Sequence, residues 1–448
     1  MVGHLRRALN FARPALLAAA LLPALFTGCS TPLAGARQNF YAGRFAEAEN
    51  SLTNVAPRPK DTVLFLMERG TIRQQRGEYA QSAKDFIAAG NEIERLWTIS
   101  ATKGAASYVI NDSVQDFRGA PYERTLLEAF NAHNFLAQGD WDSAAVGARR
   151  VIRSLEPDRR GDYPEDAYSH YLAGFCLAMI DDDSNAALQF RKADALARHV
   201  SIEARTGRLT YKAPVKISTN ATKNTETALL PPSQPVPPAP SGSNSAELVC
   251  FVLTGRTPPG DANPALVEAF SFPLHAEIRY HGQVLGRSYM LTDTGELARE
   301  TEEKQALGQA LKTGVRIAIR AAIALWAEQQ KEGLGPIVFW ALMALEEPDV
   351  RRWETLPQQL QVARVPCPPD LKDFDVVFRT SGGAVVRTLH ITQPLAHRRN
   401  IFVSIVRDLT PVTAPHVTRD PDDRPHARAL ELDMAPHRTS TRRSSDRY

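Results

Sequence analysis

The sequence predicts a multidomain α+β fold, with helical repeats in the N-terminal half and a smaller domain of helices and antiparallel strands in the C-terminal half. Two observations lead to this prediction. A short turn motif recurs between Ala36 and Arg205, and strand-like apolar runs follow a proline-rich stretch. The chain has 448 residues, of which 43% are hydrophobic, so it can build two domains with separate cores.

The turn motif joins a glycine, a polar residue and an aromatic residue at the boundary between two helical segments. It occurs at Gly43-Arg44-Phe45, at Gly77-Glu78-Tyr79 and at Gly139-Asp140-Trp141, with a degenerate copy at 182–187. The first two glycines are 34 residues apart, which is the tetratricopeptide period. We therefore expect an α-helical tetratricopeptide-like solenoid over residues 29–211, with a concave surface for peptides or proteins. An ordinary helical bundle is the alternative.

The remaining boundaries follow from composition. Residues 212–246 are rich in proline and serine, which is typical of a linker that lets a second domain move, although a PxxP ligand is an alternative. Residues 247–409 form the predicted C-terminal α+β domain, with antiparallel strands and a long helix from Leu297 to Lys331. Residues 410–448 contain few large apolar side chains, so we expect a disordered tail.

The N-terminus indicates where the protein works. Basic residues precede an uncharged apolar run from Ala15 to Phe26, and small residues lead to Cys29. The run is too short for a spanning helix. The segment resembles a bacterial lipobox, which implies removal of residues 1–28 and a lipid anchor at Cys29. Ser30, rather than Asp, follows the cysteine, and its resemblance to proteobacterial sorting signals implies the outer membrane, with the protein facing the periplasm. A soluble secreted protein cleaved near Ala24 is the alternative.

A longer stretch resembles a known family. Asn111-Asp112 is followed by a loop with Gly119 and by Tyr122-Glu123-Arg124, and the likeness resumes at 349–357 and 361–364. These motifs are similar to a family of uncharacterised bacterial tetratricopeptide lipoproteins. The resemblance implies helical repeats and a lipid anchor, but it implies no activity.

Residue patterns for catalysis or cofactor binding are not found in the sequence. No His or carboxylate spacing is typical of a metal site, and there is no P-loop or nucleophile motif. We expect no enzyme activity, no cofactor and no nucleic-acid partner. Apart from Cys29, the cysteines are Cys176, Cys250 and Cys367. Their odd number does not predict a disulfide framework, and whether Cys250 pairs with Cys367 stays open.

Two groups of residues are candidates for binding. The first combines polar, aromatic and charged side chains outside the regular repeat, at Asn111, Asp112, Arg118 and Tyr122. Their alternative role is to cap and turn the chain. The second group would contact a ligand such as a small anion, at Arg316, Arg320, Trp353 and Arg364. For Trp353 the preferred interpretation is a core position, and for Arg316 and Arg320 it is salt bridging to carboxylates of the domain.

The sequence therefore predicts a membrane-anchored periplasmic lipoprotein that acts as a protein-interaction scaffold in the cell envelope. Its partners would be envelope proteins or peptides bound by the helical repeats. One alternative is an accessory or activator of a peptidoglycan-synthesis, secretion or export machine. Another is a small-anion receptor or enzyme that uses the C-terminal domain.

Overall fold

The computed structural model describes residues 32–103, 116–212, 246–257, 274–330, 351–380 and 382–409, with the single residues 336, 338 and 349. Cys29, Asn111 and Asp112 lie outside the described residues, as do the tail and nearly all of the linker. The chain divides into two compact units, Met1–Ala56 and Pro57–Tyr448. The described fold combines helices with antiparallel and mixed sheets, so the predicted α+β class is confirmed.

The first unit contains one described helix hairpin. Helix α1 spans Pro32–Tyr41 and helix α2 spans Phe45–Asn50, and they are joined at the first predicted turn. Gly43 has a φ of 74°, a left-handed conformation that glycine adopts without steric cost. Phe40 of α1 and Ala48 of α2 are fully buried.

The second unit begins with further helix hairpins at the other predicted turns. After a short 3-10 turn at Pro59–Asp61, the helices are α3 (Thr62–Gln75), α4 (Tyr79–Lys103), α5 (Pro121–Gln138), α6 (Trp141–Ser154), the short α7 (Pro157–Arg160), α8 (Ala167–Ala178) and α9 (Asp183–Leu196). Left-handed residues close the hairpin turns at Gly77, Gly139 and Asp181. The helix pairs therefore lie where the repeat predicted them.

Glycines bring the paired helices close together. A Cβ atom added to Gly70 of α3 would lie 2.5 Å from the Phe86 ring of α4, and one added to Gly174 of α8 would lie 2.9 Å from the Phe190 ring of α9. A polar network joins α3, α4 and α5, because Asn134 donates to Ser82 Oγ and Ser82 donates to the Gly70 carbonyl. These contacts make α3 to α5 one packed body.

Strands follow the helices. They are β1 (Val200–Ile202), β2 (Leu209–Tyr211), β3 (Ala246–Thr254), β4 (Leu274–Tyr280), β5 (Gln283–Arg287), β6 (Tyr289–Asp293), β7 (Gln359–Cys367), β8 (Phe374–Thr380), β9 (Val385–Ile391), β10 (Ala396–Arg398) and β11 (Ile401–Arg407), with helix α10 (Thr294–Gln330) between β6 and β7. Strands β1 and β2 pair as a ribbon. A second sheet has the order β10-β11-β3-β7-β6, and a third has the order β5-β4-β8-β9.

One strand pair corrects the prediction of antiparallel strands. Strands β3 and β11 run parallel, with Glu247 opposite Ile401 and Leu253 opposite Arg407. The other described strand pairs are antiparallel. Alternation of apolar residues reports which face is buried and carries no information on strand direction, so the sequence pattern could not reveal this pair.

Strand β3 is covered on both faces. Leu248, Cys250 and Val252 contribute to a core shared by the two larger sheets. Phe251 points to the other side, where its ring lies 5.2 Å from the His133 ring of α5 and 5.6 Å from the Phe175 ring of α8. The continuous apolar run of this strand is explained by burial on both faces.

These contacts correct the expectation that the linker lets the C-terminal domain move independently. Helices of residues 62–196 and strands of residues 246–407 share a buried aromatic interface and belong to one compact unit. The physical reason is that Phe251 and its neighbours would be exposed to water if the two parts separated. Within the second unit, the described helical hairpins of residues 62–196 and the sheets therefore form one body.

Candidate functional site

The centre of the candidate site is a short extended segment held by the helical hairpins. We call residues 351–357 the Trp353 segment. It precedes β7 and contacts α3, α4 and α5. Trp353 is fully buried, and its ring lies 5.8 Å from the Phe86 ring and 5.6 Å from the Phe130 ring in edge-to-face contacts. Phe86 and Phe130 thus form a socket for the indole, and such aromatic pairs contribute stability beyond that from the area they bury.

Two hydroxyl groups in the socket accept the hydrogen bond of the indole N–H. The Trp353 Nε1–H is shared between Thr71 Oγ1, at 3.1 Å, and Thr355 Oγ1, at 3.0 Å. Thr71 is itself buried on α3, and its hydroxyl donates to the Met67 carbonyl. A buried indole N–H needs an acceptor, so Thr71 makes the socket specific for tryptophan at this position.

Two buried carboxylates hold the backbone of the segment. Glu123 Oε1 accepts the Trp353 N–H at 2.8 Å, and its Oε2 accepts the Ala120 N–H at 2.7 Å. Glu68 Oε1 accepts the next backbone amide, that of Glu354, at 3.0 Å. Burial raises the pKa of Glu123, while the two backbone N–H donors oppose the shift. The array therefore binds an extended chain through its amides.

An arginine fixes the start of the segment. Arg351 donates to Asp61 Oδ1 at 2.9 Å, to the Lys60 carbonyl at 3.1 Å and to both oxygens of Asp349. These partners raise the pKa of Arg351 against the effect of burial. The guanidinium also lies 5.7 Å from the ring centre of Phe117.

The loop residues predicted for partner binding are only partly described. Arg118 is half-buried, and Tyr122 is buried, with 5% of its surface exposed. Burial raises the pKa of the Tyr122 hydroxyl well above its ordinary value. Tyr122 therefore belongs to the core beneath the loop, which corrects its assignment as a partner contact.

The residues predicted to contact a ligand also have other roles in the structure. Arg364 binds Glu247 Oε2 through two nitrogens, at 2.9 and 2.7 Å, and donates to the Thr206 carbonyl. Trp353 is enclosed in its socket. Arg364 is corrected from a ligand contact to an internal partner, because an anion would have to displace Glu247. The burial of Trp353 excludes a ligand contact and agrees with the preferred interpretation of a core position. Arg316 and Arg320 are in α10, but their side chains lie outside the description.

A cavity of about 240 Å³ lies next to the α3–α4 turn. The loop between β9 and β10 forms its opposite wall, and its lining includes Gln75, Tyr79, His390, Gln393 and Arg407. Arg407 donates to the Thr355 carbonyl, and His390 is paired with Asp375 at 2.7 Å. The charged groups of the cavity are thus engaged with protein atoms.

Metal and thiol chemistry have little support in the described parts of the chain. No group of three His, Cys, Asp or Glu residues is arranged there to hold a metal ion. Cys176, Cys250 and Cys367 are free and buried, so the pairing of Cys250 with Cys367 that the sequence left open is not formed. Burial raises the pKa of the Cys250 and Cys367 thiols to about 12, which disfavours the reactive thiolate.

Sequence reasoning missed Glu68, Thr71 and the binding role of Glu123. A buried glutamate on an otherwise apolar helical face is the signal that was available, because such a group must have hydrogen-bond donors. Its donors are more than two hundred residues away in the chain, so the sequence could not identify them.

Comparison with known proteins gives no family for this chain. No protein-family model, no curated protein and no solved structure matches it. Among the helices of the described residues, none is both long and apolar enough to cross a membrane.

Proposed function

We propose that this protein is a lipid-anchored scaffold of the bacterial cell envelope that binds other envelope proteins through its helical repeats. Lipid at Cys29 would hold it at the outer membrane, facing the periplasm. The observation that supports this proposal best is the binding of the Trp353 segment by α3 to α5. Helices that bind an extended chain by its amides and by an aromatic socket have the chemistry of peptide recognition.

The same observation limits where a partner binds. The side of α3 to α5 that holds the Trp353 segment is filled by this chain itself. A partner would therefore use outward faces of the later hairpins. Val146 of α6 and Leu188 of α9 are 50% and 40% exposed, and Arg149 of α6 lies 3.9 Å from Asp182 at the start of α9. Each of these two helices therefore presents an aliphatic side chain to solvent.

The anchor is tested by metabolic labelling with a radioactive fatty acid. The full chain should incorporate label and remain with the membrane fraction, and Cys29→Ser should abolish both. Label on the Cys29→Ser variant, or membrane retention of that variant after alkaline wash, would contradict the lipid anchor.

The scaffold is tested by photo-crosslinking in living cells. A photoreactive residue replaces Val146 or Leu188 in the full-length protein, and Lys372, which is exposed on the sheet domain, serves as the control position. We expect one dominant envelope protein from the two helical positions and not from the control. Equal, diffuse labelling from all three positions would refute partner binding at this face. A captured component of a peptidoglycan, secretion or export machine would identify the accessory role.

A further inference from the structure

Helix α10 carries an apolar stripe that ends on the protein surface. Its sequence places Leu307, Leu311, Val315, Ala318, Ala322, Leu325 and Trp326 at helical spacing. Such a stripe predicts a buried face, yet Leu325 is 66% exposed and Trp326 is 63% exposed. Ile323 beside them is 39% exposed. Large apolar side chains grouped in this way on a helix indicate a contact that the described residues do not supply.

The start of the same helix is fixed to the rest of the unit. Leu297, Ala298 and Thr301 are buried there. Glu296 pairs with Arg198 at 2.7 Å, and Glu302 pairs with Arg352. The first turns of α10 are therefore packed against the rest of the unit.

The charge of α10 indicates what the exposed group contacts. From Gln305 to Ala327 the sequence contains Lys312, Arg316 and Arg320 and no acidic residue. Positions 312, 316, 320 and 323 follow one another along one side of the helix. Like charges four residues apart destabilise a helix unless anions lie opposite. An anionic surface would remove this repulsion, and it would also cover Ile323, which lies on the same side of the helix.

We infer that the second half of α10 is a membrane-surface element that binds anionic phospholipid. Tryptophan and leucine would enter the boundary between head groups and acyl chains, and the basic positions would face the phosphates. The inference rests on the proposed lipid anchor, which would keep α10 at a bilayer. It adds a second, reversible contact that would orient the protein on that surface.

The test uses the mature chain from residue 29 with Cys29→Ser, so that no lipid is attached. Its binding to vesicles of equal parts phosphatidylglycerol and phosphatidylcholine is measured by flotation and compared with binding to pure phosphatidylcholine. We expect binding to the anionic vesicles that weakens with salt. The double variant Leu325→Glu, Trp326→Glu should bind about tenfold more weakly, and Arg316→Gln with Arg320→Gln should lose on the order of fivefold per arginine.

A matched control carries the same change of charge elsewhere. Leu196→Glu with Met290→Glu alters two exposed apolar residues, at the end of α9 and on β6, and should bind like the parent. Circular dichroism and the Tm establish that each variant is folded. Equal binding by the α10 variants and the parent, or absence of binding by the parent, would overturn the inference. A concentration-dependent dimer lost in Leu325→Glu, Trp326→Glu would also overturn it, in favour of a second copy. Because the Cys29→Ser protein carries no acyl chain in any of these measurements, their outcomes are independent of the test of the anchor.

Discussion

Glu68 and Glu123 accept hydrogen bonds from consecutive backbone amides of the same segment. Glu123 on α5 accepts the amide of Trp353, and Glu68 on α3 accepts that of Glu354. Both side chains are buried. A pair of acceptors on two helices fixes both the position and the direction of the segment, so the helices and the strand that follows it become one structure.

Replacing Glu123 by alanine should destabilise the protein. The amides of Trp353 and Ala120 would lose their acceptor inside the protein, at about 1–3 kcal/mol for each buried donor. We expect a lower urea midpoint with an unchanged m-value. The control is Glu94→Ala, whose carboxylate is exposed and pairs with Arg159 at 2.8 Å, and which should change stability by less than about 1 kcal/mol. Equal losses in both variants would contradict the role of Glu123.

Replacing Trp353 by alanine should cost about 3–5 kcal/mol, because it empties a fully enclosed socket. Trp353→Phe should lose less, since it keeps an aromatic ring against Phe86 and Phe130 but gives up the bond to Thr71. Equilibrium unfolding by urea measures both. Trp97→Ala is the control, because Trp97 is 37% exposed. A Trp353→Ala loss no larger than that of Trp97→Ala would show that the socket is not part of the stable core.

His133 should make the protein less stable in acid. Burial lowers the pKa of His133 from 6.5 to about 3, so between these values the unfolded chain binds a proton that the folded chain excludes. The free energy of unfolding is therefore unaffected by this group above pH 6.5, and it decreases as the pH falls below 6.5, by about 2 kcal/mol at pH 5. In His133→Phe this part of the pH dependence should disappear.

The measurement is the difference in unfolding free energy between parent and His133→Phe at pH 7 and pH 5. Glu128→Gln provides a control of opposite sign. Burial raises the pKa of Glu128 from 4.5 to about 7, so its folded form binds the extra proton and its contribution falls as the pH rises through this range. A parent-to-variant difference for His133 that does not change with pH would refute the assignment.

Alanine at Gly70 or Gly174 should separate the paired helices. The new Cβ atom would overlap the ring of Phe86 or Phe190, which costs about 1–3 kcal/mol. Gly35 in α1 has no atom within 4 Å of an added Cβ, so Gly35→Ala should gain stability from its helix propensity instead, by up to about 1 kcal/mol. Thermal unfolding of the three variants distinguishes a loss by overlap from a general effect of alanine.

The sequence by itself determined the local structure. Glycines or an aspartate close each helix hairpin where the repeat predicted a turn. The runs at Glu247–Leu253 and Phe374–Phe378 lie in strands, as does the run at Asn400–Val406 apart from Asn400 itself. Turn conformation and apolar periodicity depend on residues that are close in the chain, so they can be read directly. The buried Trp353 agrees with the preferred sequence interpretation of that residue as part of the core.

Only the tertiary structure decided how these elements combine. The tertiary structure pairs β3 with β11 in parallel and forms the ion pair between Arg364 and Glu247. It also places the backbone amides of the Trp353 segment against Glu68 and Glu123. Each of these relationships joins residues more than a hundred positions apart, where local pattern carries no information. Leu325 and Trp326 give a second example. The apolar stripe of α10 predicts a buried face, and only the three-dimensional packing shows that these two side chains are exposed.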